Sequence, residues 1–475
     1  MMFLCLKETF EGYSQLLGFC LSNHNQNIIT GSFDNPGPYG GYLAICLSIQ
    51  TAQLFKTTNT FIRYLLGVVS LITFVLLPAT MSRASLLAFF ISLFLIALSE
   101  KSSRNYIRKN CVWILISLIF FSICAYLYKR PSADGRFFID KVSIETIFRN
   151  GINGVGVGNY GGSYGSTQHD YFKQQIDSRG KDDLDWSVIN EHDRITADSP
   201  DNAFNEYLFI GVEYGPLAML LFIGVIVSAI VISFKRGTIW CYGLTAFAVF
   251  AMFSYPLHVW QFQVMLPILL AAAISDGETC KNRKKIAELV MLSITIVVLA
   301  FGAWRKIPEI KQYKHAKATW KKTERWHKME FYEYVVEDCD TLLPYMKHDK
   351  HFLFAYGQSL NKIGNYLKSD SILQLGTKIS SDPMFWNVMG NNSLAQGKYR
   401  EAEERYKHAF YMVPNRLYPL YLLAKLYHTE GDTARFLKMA ERVESFIPKV
   451  ESVNTERLRN EIREIRAGYL PQIEQ

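Results

Sequence analysis

The stretch Gly211-Val-Glu-Tyr-Gly-Pro-Leu-Ala-Met-Leu-Leu-Phe-Ile-Gly-Val-Ile-Val-Ser-Ala-Ile-Val-Ile-Ser-Phe234 decides how this chain is built. Apart from Glu213 it carries no charge, and as a helix it is long enough to cross a hydrocarbon core about 30 Å thick. Inside lipid a free backbone finds no water, so the run must be helical. Working outward, seven more segments read as spans: 39–55, 60–79, 84–99, 108–127, 238–255, 258–274 and 286–304. Of these, 84–99 and 258–274 are short for the task. No cleavage site follows any of them, which argues against a secretory leader. The expected fold is all-α: a polytopic helical membrane bundle of about eight spans, then a soluble helical tail.

Three regions follow from this pattern. Residues 1–38 are too polar to span. Residues 39–304 form the membrane domain, interrupted by a polar loop over 128–202, and residues 305–475 form the tail. A loop of that length is no tight connection and must have a fold or a task. The connections after the third, fifth and seventh spans hold Lys101, Arg104, Arg108 and Lys109, then Lys235 and Arg236, then Lys281, Arg283, Lys284 and Lys285. With alternating spans these three fall on one side, which is therefore cytoplasmic. The long loop, the Thr80–Arg83 and Pro256–His258 turns and the tail then lie on the outer side of the membrane, which in a bacterium would be the periplasm or outer surface.

A composition of 49% hydrophobic and 20% charged residues averages two unlike halves, and the net charge of +8 needs no nucleic acid to explain it. Cys46, Cys111, Cys124 and Cys241 fall in spans, Cys280 on the cytoplasmic side and Cys339 in the tail. Cys5 and Cys20 could pair, though nothing compels it. Without a CxxC or a Cys/His cluster, neither a disulfide framework nor a metal site is supported.

The tail repeats with a period of 33–34 residues: Gly357 and Gly390; Gly364, Gly397 and Gly431; Tyr366 and Tyr399; Pro414 and Pro448. Within 383–415, Trp386, Gly390, Gly397, Tyr399, Ala402, Tyr406, Ala409 and Pro414 fit the tetratricopeptide pattern of large and small residues at helix crossings. Units at 350–382, 383–416 and 417–450, with a weaker pair at 313–348, suffice for a continuous α-solenoid core. Such an array serves to bind a protein partner or to dock the loop; generic helical hairpins are the plainer alternative.

Chemistry gathers on the outer face. Arg83, in Thr80-Met-Ser-Arg-Ala-Ser85, sits where two spans meet the surface; a charge there is either paired and functional or snorkels to the headgroups. The loop opens with Gly135-Arg136, an amphipathic stretch 137–149 and a glycine run ending Gly154-Val-Gly156-Val-Gly158-Asn159-Tyr160. Lacking a βαβ context, that run is not a dinucleotide fingerprint and suits a flexible cover over a cleft. The loop closes on Glu191-His192-Asp193-Arg194, Asp198-Ser-Pro-Asp201 and Asn205-Glu-Tyr207-Leu208. Here a general base could meet a lipid-borne substrate. The same residues also suit a solvated acidic linker, with Ser199 or Asp201 capping a helix that starts near Ala203.

Taken in order, these pieces resemble the O-antigen ligase and polymerase superfamily of bacterial membrane glycosyltransferases. They are Gly31-x-Phe33-x-Asn35-Pro36, Ser82-Arg83-Ala84, Gly135-Arg136, Gly154-x-Gly156-x-Gly158-Asn159-Tyr160, Asn205-x-Tyr207-Leu208 and Glu213-x-Gly215. The resemblance covers about 31–275. It implies an inverting transfer, without metal or other cofactor, of a glycan from an undecaprenyl-diphosphate carrier. The acceptor would be lipid A-core, a growing glycan or a protein outside the cytoplasmic membrane. Arg83 and Arg136 would hold the diphosphate, since arginine grips phosphate oxygens bidentately where charge builds. The chain departs from the family at Phe204, where many members carry the histidine that activates the acceptor. Asp201, Asp198 or His192 would then take that role, or the chain uses another mechanism or is an inactive variant. It departs again at the front, where the family has further spans and this chain has about 30 residues, reading as a truncated front or a short variant. Two other readings stand beside the transferase. One is a non-catalytic membrane scaffold for envelope glycan assembly that presents the repeats. The other is a transporter, which would show mid-span charges or helix breaks where these spans are mostly clean.

Overall fold

The computed structural model describes residues 2–24, 26–180, 182–275 and 282–469; over 282–304 and parts of 101–125 it describes the backbone alone. Among the described residues there is no strand. The helices are, in order, Met2–Leu16 (α1), Pro36–Lys56 (α2), Thr60–Ala79 (α3), Arg83–Ser99 (α4), Lys101–Tyr128 (α5), Arg130–Asn150 (α6), Tyr160–Arg179 (α7), Glu191–Thr196 (α8), Glu206–Tyr214 (α9), Pro216–Lys235 (α10) and Trp240–Ala251 (α11). Then follow Trp260–Ile274 (α12), Asn282–Lys328 (α13), Tyr332–Met346 (α14), Lys350–Lys362 (α15), Tyr366–Ile379 (α16), Met384–Ala395 (α17), Tyr399–Met412 (α18), Tyr418–Glu430 (α19), Thr433–Ser445 (α20) and Val453–Ala467 (α21). Each segment expected to span contains an α-helix. Among the described residues, α3 and α10 are long and apolar enough to cross a bilayer, while α4, α11 and α12 are apolar but shorter. Cys280 and Lys281 lie outside the described residues, as do the side chains of Lys101, Arg108, Cys111, Arg283, Lys284 and Lys285.

The chain forms two units, the first made of 1–154 with 202–277 and the second of 155–201 with 278–475. In the first, α2 is the central helix, buried along most of its length and packed against α3, α4 and α11. Its sequence Gly40-Gly-Tyr-Leu-Ala-Ile-Cys-Leu-Ser48 explains this, since small residues let neighbours close in: a Cβ on Gly41 would meet the Phe250 ring at 2.4 Å and one on Gly40 the Thr80 hydroxyl at 2.6 Å. Short polar ties join the same helices: Ser92 Oγ donates to the Tyr242 carbonyl at 3.0 Å and Tyr242 Oη to Ser99 Oγ at 2.6 Å. Helix α1 folds onto this core. The Glu8 carboxylate accepts from Ser32 N and Oγ, and Tyr39 Oη donates to the Glu8 carbonyl. Cys5 and Cys20 are free thiols rather than a pair, the first buried and the second exposed.

Two sequence expectations change. The run 211–234 is not one helix: it breaks at Gly215, which has φ +91° and joins α9 to α10. Pro216 is the cause, because its ring disfavours a helical conformation in the residue before it and suits the first turn of the helix after it. The helix expected near Ala203 starts instead at Glu206, and its cap is Asn205, whose side chain accepts from Leu208 N at 3.3 Å. Neither Ser199 nor Asp201 caps it.

In the second unit, helices pair in sequence order: α13 with α14, α15 with α16, α17 with α18, α19 with α20. The 33-residue period has a packing basis. A Cβ on Gly357 would meet Leu373 at 2.5 Å, and one on Gly390 would meet Tyr406 at 2.3 Å, so the partner residues repeat at the same interval. The turns within the last three hairpins carry Gly364, Gly397 and Gly431 at φ of +83°, +73° and +82°. The segment 155–201 belongs to this unit. Its helix α7 packs on α16 and α18, with Gly161 and Gly162 facing the backbone of 377–379 so closely that a Cβ would clash, and Gly165 close against Ser381 and the Met412 side chain. The hydrogen bonds are as dense: Asn415 Nδ2 donates to the carbonyls of Arg194 and Ala197, both at 2.8 Å, and Ser381 Oγ to that of Pro200 at 3.0 Å. Trp186 sits between Phe410 and Phe446.

Candidate active site

Five separate parts of the first unit meet at a cavity of about 310 Å³. Arg83 and Leu87 come from α4, Tyr126 from α5, Ala133, Arg136, Phe137 and Asp140 from α6, Phe204 from the connection before α9, and Met252 and Phe253 from the one after α11. Arg83 is the first residue of α4, behind a turn in which Met81 takes φ +55°. Arg136 and Asp140 lie four residues apart on α6, hence on one face. The Arg136 Nη1 donates to the Phe253 carbonyl at 2.9 Å, and its guanidinium lies 5.1 Å from the centre of the Phe204 ring. Phe204 itself has φ +50°, a conformation that costs a non-glycine residue of order 1 kcal/mol or more and that collects at functional sites.

The electrostatics follow from this crowding. Burial and the neighbouring Arg83 cation hold the Arg136 guanidinium below its ordinary range. Burial raises the Asp140 carboxyl to about 6, against a hydrogen bond from the Asn205 side chain and the pull of Arg136, which both lower it. Two fixed cations and one carboxylate therefore share an otherwise apolar cavity.

Of the motif glycines, Gly154 and Gly215 are structural supports for this arrangement, while a Cβ on Gly151 or Gly158 would meet nothing within 4 Å. Gly154, at φ +65°, lies against Gly215, and a Cβ on either would fall within 2.6 Å of the other strand of backbone: 2.5 Å from Gly215 N in one case, 1.8 Å from the Ile152 carbonyl in the other. This contact ties the end of α6 to the α9–α10 break. Gly154 is thus close-packed, in contrast to the flexible cover read from the sequence, whereas Gly151 and Gly158 are not. Asn35 caps α2 by accepting from Gly37 N at 2.9 Å, and Tyr207 Oη donates to the Ala248 carbonyl at 3.0 Å.

Residues 68–223 match the family of O-antigen ligases. No curated protein matches the chain. The ligase-like region holds Arg83, Arg136, Asp140, Phe204 and the Gly154–Gly215 contact, and ends before the tail. The match supports a function of the O-antigen ligase and polymerase type, on lipid-linked glycans at the bacterial inner membrane.

Within the ligase-like region the expected site residues divide between the two units. Arg83 and Arg136 share the cavity. Asp198, Asp201 and His192 belong to the second unit. There Asp198 is ion-paired with Lys449 at 3.0 Å and lies 3.8 Å from Arg416, and Asp201 pairs with Lys350. His192 is exposed beside Asp193 at 3.8 Å. Two groups were missed from the sequence. Asp140 stands one helical turn from Arg136, a spacing that any solvated helix face shows. His258 gave no signal that could be read: its Nδ1 lies 3.7 Å from the buried Glu206 carboxylate, which also accepts from Leu257 N at 2.9 Å. His258 lines a second cavity of about 470 Å³ with Asp34, Asn35, Tyr255, Trp260 and Gln263, so the Gly-x-Phe-x-Asn-Pro segment borders a pocket of its own.

Proposed function

We propose that the chain transfers a glycan from an undecaprenyl-diphosphate carrier to an acceptor on the outer side of the cytoplasmic membrane. The observation that carries this reading is the convergence of Arg83 and Arg136 on one apolar-walled cavity. A diphosphate leaving group gathers negative charge as its bond to the sugar breaks, and fixed guanidinium groups in a water-poor site stabilise that charge. The apolar lining suits the prenyl side of the carrier. In this reading the eight apolar helices cross the membrane, and the loop and the tetratricopeptide-type tail lie outside it. The tail's repeats hold the loop and serve acceptor or partner recognition. No metal is required, because the two arginines supply the positive charge. The acceptor is lipid A-core, a growing glycan or a protein.

The test is the envelope glycan profile, lipopolysaccharide ladder plus glycoprotein blot, of a deletion strain complemented with wild type, Arg83→Ala or Arg136→Ala. Loss of one profile with either arginine variant, at normal expression, supports the transferase and identifies the acceptor. Full complementation by both variants removes it and leaves the scaffold reading.

A further inference from the structure

We propose that Asp140 is the base that takes the proton from the acceptor hydroxyl. The inference rests on the transferase reading and adds to it the group that the Phe204 position does not provide, since a phenyl ring accepts no proton. Asp140 stands one helical turn from Arg136 and lines the same cavity as Arg83 and Arg136, so its carboxylate is beside the cations that would hold the leaving diphosphate. The Asn205 side chain bonds to that carboxylate. Because Asn205 Oδ1 is taken by Leu208 N in capping α9, the amide is fixed with its N–H₂ available as the donor. The carboxylate is thereby oriented by a residue whose own position is locked by a helix end, as second-layer support requires. The other titratable or charged groups lining the cavity with it are Arg136 on its own helix, Arg83 on α4 and Tyr126 on α5, while Tyr255 after α11 acts on Arg136. The Glu206 carboxylate on α9 is directed to Leu257 N and His258 instead.

The step balances with these groups alone. The Asp140 carboxylate accepts the hydroxyl proton as the acceptor oxygen bonds to the anomeric carbon. The bond from that carbon to the phosphate oxygen breaks, and its electron pair leaves with the diphosphate between the two arginines. The products are the glycosylated acceptor, the prenyl diphosphate and a protonated Asp140, which returns its proton to water. A carboxyl raised to about 6 by burial is ionised at neutral pH and a stronger base than an ordinary aspartate, as general-base catalysis favours. Asp198 and Asp201 are instead engaged by lysines of the second unit.

The experiment measures glycan transfer in membranes of the complemented strain, using the lipid-linked donor and the acceptor those membranes contain, between pH 5 and 8.5. Wild-type rate is expected to rise with pH through about 6 and then level, since the ionised form is the active one. Asp140→Asn keeps shape and the bond to Asn205 and is expected to lose transfer by about 100-fold or more, while Asp140→Glu keeps part of it. Adding Phe204→His to Asp140→Asn is expected to restore some transfer, with a midpoint below the ordinary imidazole value of about 6.5, because the Arg136 guanidinium lies beside that position. A purely structural role for Asp140 would leave the pH profile of Asp140→Asn unchanged. The proposal is overturned if Asp140→Asn transfers within threefold of wild type, or if its residual activity keeps the wild-type pH profile. Loss confined to Asp201→Asn or His258→Gln would overturn it in favour of that residue. If Arg136→Ala fails while Asp140→Asn works, only the base assignment falls; if both work, the transferase reading falls with it.

Discussion

Arg83 was legible because a charge at the mouth of an apolar bundle is expensive enough to need a reason, and Arg136 through the Gly135-Arg136 pair that carries the family resemblance. Asp140 was not, since an acid on an amphipathic stretch is what any solvated helix face shows; only the cavity distinguishes it. Phe204 looked like a deficiency in the sequence, and in the fold its ring lies under the Arg136 guanidinium. Arg136→Lys is expected to reduce transfer at least tenfold at unchanged expression. An ammonium cannot fork to two oxygens and stacks less well on an aromatic face. Gly215→Ala is expected to be worse for folding than for chemistry. It puts a methyl group 1.8 Å from the Ile152 carbonyl at a positive φ, and relief of such a clash costs about 1–3 kcal/mol. A lowered melting temperature of the detergent-extracted protein would record it.

At the scale of elements, the positions of the apolar helices followed from hydropathy, and the hairpins of the tail from the 33-residue spacing. The break at Gly215-Pro216 was missed because hydropathy runs on through it, although the dipeptide itself carried the signal. What could not be read was where α7 packs. Three glycines in Tyr160-Gly-Gly-Ser-Tyr-Gly165 suggest looseness until the backbone of 377–381 is seen against them. Asn415→Ala removes the donor to two buried carbonyls and is expected to cost about 1–3 kcal/mol, with faster amide exchange over 191–199. Asp182, held well below the ordinary carboxylate range by Arg442, with Lys438 and the Leu184 amide adding to it, gives a pH-dependent counterpart. Its folded value is depressed, so its stabilisation is present above about pH 4 and fades as pH falls towards the folded value. The site is well solvated, which limits the effect to under about 1 kcal/mol. Asp182→Asn is therefore expected to melt slightly below wild type at pH 7, with the gap closing in acid.

For the whole molecule, the division of the chain matters more than its length. The sequence suggested a tail beginning at 305, whereas the second unit takes in 155–201 as well. A chain ended at 304 is expected to leave that segment without the surface it packs on, so limited trypsin should cut at Arg179 and Arg194 far faster than in the full chain. Resistance equal to the full chain would show that the segment holds itself together. The same interleaving bears on how such proteins exchange parts during evolution. A crossover near residue 305 would graft a tail onto a host whose loop was shaped for a different one, joining Gly161, Gly162 and Gly165 to a stranger's backbone. Viable chimaeras between relatives should therefore carry two separated stretches of gene together, and the segment before α8 and the repeats should be inherited as a pair.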